Sequence, residues 1–275
     1  MEFLQRQTRI PSPRVYDWAC ESDLTNAVGV GYILMEKMPG TPLDWQGATA
    51  AQREKVVRQL ADIMLEIERH PFDKLGSLMT TPTEFGIQVQ GLAQHYAFRS
   101  GEGDGPPGPF HSSREASRAL LEAHLRMIAG GEIGTAENSV DIFLAHRPRL
   151  DVLDRVWVED KGDHILVNAD LDIVGVIDWE WCGNALREEA FSSPCMMWPV
   201  AALYDGSNEL SDEEMPLARV FCERGREDLA RCVLEGRRVQ IFLFAIGPDG
   251  AAHEDRRTLA CLFMGLKKMF EPGHD

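Results

Sequence analysis

The chain has 275 residues, enough to bury one large core or two small ones. Its 44% hydrophobic and 26% charged residues match the make-up of a soluble globular protein. The formal net charge of −16 argues against nucleic acid or an anionic membrane surface as the main partner, while permitting a cationic small substrate.

The opening MEFLQRQTRI lacks the apolar core of a signal peptide, and no apolar run approaches the roughly 20 residues needed to span a bilayer. A soluble, intracellular and cytoplasmic protein is expected. The six cysteines are scattered without a C-x-x-C pair, so neither a zinc site nor a disulfide framework is signalled. Residues 1–10 suit the end of a helix stopped by Pro11 and Pro13, and Val15–Trp18 suits a short strand. Glu21–Asn26 is turn-like. Gly31–Met38 reads as a buried strand entering a turn at Pro39-Gly40.

A strong helix signal follows. Thr49-x-x-Gln52 has capping-box form, and Val56, Val57, Leu60, Ile63, Met64 and Ile67 recur at helical spacing until His70-Pro71. Gly101–Pro109 is a Gly/Pro-rich loop. Ser112-x-x-Glu115 predicts the cap of a second helix carried by Leu120, Leu121, His124, Met127 and Ile128 and ended at Gly130-Gly131, with His124 a core or boundary histidine rather than a ligand. Residues 211–247 look helical with breaks at Pro216 and Gly225, and a last helix is predicted over Asp255–Phe270. The fold class is α+β, mainly helical after residue 45.

Between the helices lies the most informative stretch, Val156–Trp181. Two β-type runs, His164–Val167 and Ile173–Ile177, flank the polar turn Asn168–Asp172, the pattern of a hairpin. Glu159, Asp160 and Asp163 precede the first strand, and Asp178 and Glu180 follow the second. A hairpin brings its open ends together, so these carboxylates share one edge. They must bind a cation, share protons or face water. Trp179, Trp181 and Trp198 are expected in the core.

Three pieces together resemble the aminoglycoside phosphotransferase family of the protein-kinase-like fold, in particular a filamentous-fungal branch of phosphotransferase enzyme family proteins. Tyr32-Ile-Leu-Met-Glu-Lys-Met-Pro-Gly40 is similar to the hinge between the two lobes. His70-Pro-Phe-Asp-Lys-Leu-Gly-Ser-Leu78 resembles the segment after the first C-lobe helix. Asp160-Lys-Gly-Asp-His-Ile-Leu-Val167, continuing to Ile177-Asp-Trp-Glu180, is similar to the catalytic loop and metal-binding strand. The resemblance implies a remnant of the N-lobe with the hinge strand over residues 1–38, and over 39–275 a helical C-lobe carrying the catalytic loop and metal-binding hairpin.

It also implies ATP and Mg²⁺ as cofactors. Phosphoryl transfer is chiefly positioning and charge neutralisation, with Mg²⁺ on the phosphates and a carboxylate at the attacking hydroxyl. By resemblance, Glu36 and Met38 would meet adenine through backbone groups, with Met35 behind the ring; on the residues alone, Met35 is equally a core side chain. Laid on the family loop H-x-D-x-x-x-x-N, Trp157 stands at the His, Glu159 at the Asp and His164 at the Asn. Glu159, or its neighbour Asp160, would be the base, and Asp178 with His164 would hold the metal, although imidazole is softer than Mg²⁺ prefers.

About 30 residues precede the hinge, with no lysine before Lys37 and no G-x-G-x-x-G. Two expectations follow: an ATP- and Mg²⁺-dependent transferase acting on a hydroxyl of a small molecule, or a pseudokinase-like remnant that binds a protein partner on an exposed C-lobe face.

Overall fold

A computed structural model describes residues 1–81, 86–93, 106–132, 139–146, 164–179, 187–241 and 256–270. Two compact units emerge, one of Met1–Pro71 with Gly162–Glu180, the other of Phe72–Lys161 with Trp181–Asp275. Among the described residues no helix is long and apolar enough to cross a membrane.

The first unit begins with helix α1 (Glu2–Gln7), which gives way to an extended segment at Pro11 and Pro13. Strands β1 (Val15–Ala19) and β2 (Tyr32–Met35) then pair antiparallel, with Trp18 opposite Ile33. The expected strand exists, but it is not buried. Ile33 and Leu34 are 54% and 56% exposed, and Tyr16 and Trp18 on the partner strand are equally open. A two-stranded ribbon has two faces to cover, and among the described residues nothing layers over these side chains.

Helix α2 (Ala50–Glu68) forms as its sequence predicts. Thr49 Oγ1 accepts from the Gln52 N–H while the Gln52 side chain accepts from the Thr49 N–H, the reciprocal capping box. Val56, Val57, Leu60 and Ala61 form its buried stripe; each large one stabilises by roughly 1.5–3 kcal/mol. Ile63 and Met64 are only half-buried, and Ile67 is exposed.

The expected hairpin is present. Strands β6 (Ile165–Val167) and β7 (Ile173–Val176) pair antiparallel, and the short β3 (Thr41–Pro42) joins the other edge of β6. All three residues of β6 are buried, as befits the central strand of this small sheet.

The second unit holds a hairpin of β4 (Ser77–Thr80) and β5 (Ile87–Gln90), which the sequence reading did not anticipate. Helix α3 (Ser113–Ala129) is capped by Ser112 as expected and buries Leu120, Leu121, His124, Met127 and Ile128. His124, at 2% exposure, is a core residue. Helix α4 (Ser139–His146) follows, then the short α5 (Arg187–Ala190) and α6 (Val200–Tyr204).

Helices α7 (Met215–Glu223) and α8 (Glu227–Leu234) pack together and bury Leu217, Val220, Phe221, Leu229 and Val233. Gly225, at φ +71°, makes the sharp turn between them. Pro216 does not break this region: it sits in the first turn of α7, where its missing N–H has no intrahelical partner to lose. Helices α9 (Arg237–Gln240) and α10 (Arg256–Phe270) complete the described elements. Trp198 is buried and Trp179 half-buried; Trp181 lies outside the described residues.

Candidate functional site

The site is built on the β6–β7 hairpin. Asn168 closes its tip: the side-chain oxygen accepts from the Asp170 and Asp172 N–H groups at 3.0 and 2.9 Å, and the side-chain nitrogen donates to Asp172. Two residues one turn apart on α2 clamp this tip from outside. Lys55 donates to the Asp170 carbonyl at 2.7 Å and pairs with the Asp172 carboxylate. Gln59 accepts from the Ile173 N–H at 2.8 Å and donates to the Leu171 carbonyl at 2.9 Å. Gln59→Leu, which leaves both backbone groups without their partner, is expected to cost roughly 1–3 kcal/mol in urea unfolding and to speed amide exchange of residues 165–176.

Lys55 and then Asn168 hold the Asp172 carboxyl below its ordinary 3.8. Because the folded value is the lower one, this contribution is fully present above the unfolded value and is lost as pH falls through the folded one. The acid limb of unfolding should therefore flatten in Asp172→Asn, and a limb identical to the parent's would show that the clamp carries no charge-dependent stability.

At the open end of the hairpin the Ile177 N–H donates to the His164 carbonyl at 2.9 Å, which sets the next residue beside His164. That residue is Asp178, and His164 Nδ1 stands 3.2 Å from Asp178 Oδ2. Both side chains are open to solvent, at 36% and 49%. Asp178 has φ +58°, a left-handed backbone that costs a non-glycine residue roughly 1–2 kcal/mol. Such outliers persist where surrounding structure enforces them, often at functional sites. Trp179 helps to fix it, its indole N–H donating to the Val176 carbonyl at 2.8 Å.

The hinge-like segment reaches the same hairpin. Met38 packs on β7 at Gly175, where an added Cβ would lie 3.2 Å from Met38 Cβ and Cε. The Glu36 N–H donates to the Arg14 carbonyl at 2.7 Å; among the described residues no backbone group takes the Glu36 carbonyl or the Met38 N–H. Met35 is 41% exposed, so core packing does not account for it.

The structure thus brings His164 to Asp178 and Met38 to the hairpin. Glu159 and Asp160, with Trp157, Asp163 and Glu180, lie outside the described residues. Lys55 and Gln59 were not among the residues singled out from the sequence; their one signal was a polar pair at i, i+4 on a helix facing a polar turn.

Among the described residues no three His, Cys, Asp or Glu side chains converge as a metal cage. The pair at hand offers one carboxylate and one imidazole. The carboxylate of Asp178 suits Mg²⁺, whereas the nitrogen of His164 suits a softer ion better.

The family model described as "Phosphotransferase enzyme family" matches residues 1–209, which include the hinge-like segment, the hairpin, and both His164 and Asp178. No curated protein matches the chain.

Proposed function

The chain belongs to the phosphotransferase enzyme family, and from that premise we propose that it transfers the γ-phosphoryl group of ATP to a hydroxyl of a small molecule. The observation that carries this reading is the Asp178–His164 pair: a carboxylate on an enforced left-handed residue, open to solvent, directly after a strand. Asp178 and His164 would hold Mg²⁺, which when bound neutralises phosphate charge. The Glu36 carbonyl and Met38 N–H would bind the adenine edge, and Met35 would lie against the ring. Glu159 or Asp160 would receive the proton of the acceptor hydroxyl as its oxygen bonds to phosphorus and ADP departs.

A second reading is a member that binds a partner without transferring phosphate. It is favoured by the residues at the loop positions, Trp157, Glu159 and His164, where the family pattern has His, Asp and Asn. The open apolar ribbon of Tyr16, Trp18, Ile33, Leu34 and Met35 would supply a contact surface.

Calorimetry with ATP and Mg²⁺ separates the two. The transferase reading expects metal-dependent nucleotide binding that Asp178→Ala abolishes while the protein stays folded. Folded protein that binds no nucleotide at millimolar concentration would sink it and leave the partner-binding reading.

A further inference from the structure

We propose that the His164–Asp178 pair selects Mn²⁺ over Mg²⁺ as its divalent ion, which rests on the transferase reading in taking this pair as the metal site. Selection by two side chains requires that the backbone, not the ion, hold the donors together. Here it does. His164 directly precedes β6, Asp178 lies two residues past the end of β7, and the Ile177 N–H donates to the His164 carbonyl at 2.9 Å between them. The strands behind that rung are anchored in turn. Ile165 is buried, and the Val176 N–H donates to the Pro11 carbonyl at 2.7 Å. A donor pair fixed in advance is not reshaped to suit whichever ion arrives.

The two donors differ in kind. Asp178 offers the carboxylate Oδ2 and His164 the imidazole Nδ1, 3.2 Å apart and both open to solvent. An octahedral ion bound at about 2.1 Å sets neighbouring ligand atoms ~3 Å apart, so one ion can bridge the pair with little movement. Among the described residues no third His, Cys, Asp or Glu joins them, which leaves the rest of an ion's shell to the oxygens of water and phosphate.

One nitrogen in a shell of oxygens is a poor set for Mg²⁺, a hard ion that takes oxygen. It is poor for Zn²⁺ as well, whose sites draw on three or four protein ligands. Mn²⁺ meets both demands, since it accepts an octahedral oxygen shell as Mg²⁺ does and takes an imidazole nitrogen more readily.

The experiment uses the whole chain and metal alone, so nucleotide plays no part in it. Protons compete with metal for imidazole nitrogen, and the buffer is therefore set at about pH 8. Mn²⁺ followed by electron paramagnetic resonance should fill one saturable site that Asp178→Asn removes, above the diffuse binding expected at net charge −16. Mg²⁺ should displace that ion only at about tenfold higher concentration or more. His164→Asn sets an amide oxygen near the place of Nδ1. It should weaken Mn²⁺ about tenfold and leave Mg²⁺ within about twofold, so that the preference collapses. Both side chains are exposed, and each variant should keep the parent's circular dichroism.

The parent alone gives a direct signature, modulation of the Mn²⁺ spin echo by a coordinated nitrogen, which should vanish in His164→Asn. An unmodulated echo in the parent, or an equal loss of Mn²⁺ and Mg²⁺ in His164→Asn, would overturn the assignment and reduce the imidazole to a hydrogen-bond partner of Asp178. So would the lack of an Asp178-dependent site by ~5 mM Mn²⁺. Any of these results with Mg²⁺-dependent nucleotide binding intact would leave the transferase reading standing. A nitrogen-modulated echo in a chain that binds no nucleotide would uphold the ion preference and sink that reading instead.

Discussion

Arg237→Met, with Glu214 left in place, is expected to lower the free energy of unfolding by about 3–5 kcal/mol. Glu214 is fully buried and Arg237 is 3% exposed, and the two form an ion pair inside the second unit. The Glu214 carboxylate also accepts from Ser193 Oγ at 2.6 Å and from the Ser211 N–H at 2.7 Å. Arg237 donates to Gln240 at 2.7 Å, and Gln240 returns to Ser193 Oγ at the same distance.

Burial pushes the Arg237 guanidinium down from its ordinary value and the adjoining Glu214 opposes that push, so each charge depends on the other for its tolerance. Removing only the cation leaves a carboxylate in a dry interior with two remaining donors. Replacing both partners, as in Glu214→Leu/Arg237→Met, should recover much of the loss, because no uncompensated charge remains. Chemical denaturation checks both steps. A single variant that loses less than about 1 kcal/mol would mean that water reaches the pair. The same network holds the Ser193 carbonyl, which accepts from the Trp198 indole at 2.8 Å, so the emission of Trp198 should shift before global unfolding in the single variant.

That network shows which features were legible in the sequence. Helices α2 and α3 were, because capping and apolar periodicity act within a few residues, and Thr49 with Gln52 and Ser112 with Glu115 hold the bonds their spacing promised. The hairpin was legible because Asn168 and its neighbours make a local turn, and its closure places Asp178 beside His164.

What failed to show depends on distant partners. Ser193, Glu214 and Arg237 are scattered along the chain, and Lys55 reaches a turn 115 residues away. Nor can an apolar run state how many layers cover it, so Ile33 and Leu34 suggested burial and are exposed. The β5 stretch Ile87–Gln90 alternates apolar and polar, but four residues of period two are too few to stand out from a loop. Pro216 was ambiguous in a simpler way: a proline ends one helix and begins another equally well.

Gly40 makes the closest approach of the hinge-like segment to the hairpin, and Gly40→Ala is expected to cost about 2–5 kcal/mol. Gly40 has φ +94°, a conformation that carries a penalty for any side chain. An added Cβ would also stand 2.6 Å from the Val167 carbonyl oxygen and 2.7 Å from Val174 Cγ2, one on each strand of the hairpin. The first of these is backbone, so the obstruction cannot be relieved by turning a side chain.

Gly29→Ala separates the two causes. Gly29 has φ +81° but nothing within 4 Å of its would-be Cβ, so it carries the backbone penalty alone, roughly 1–2 kcal/mol. The excess of Gly40→Ala over Gly29→Ala in denaturant unfolding measures the contact. If the two substitutions cost the same, the segment is not seated on the hairpin as described. On the proposed transferase reading, nucleotide binding in calorimetry should also weaken in Gly40→Ala while Gly29→Ala retains it. On the same reading Asp178→Ala would differ from Gly40→Ala, losing nucleotide at little cost in stability, because it removes an exposed carboxylate from a left-handed position without bringing a side chain against the hairpin backbone.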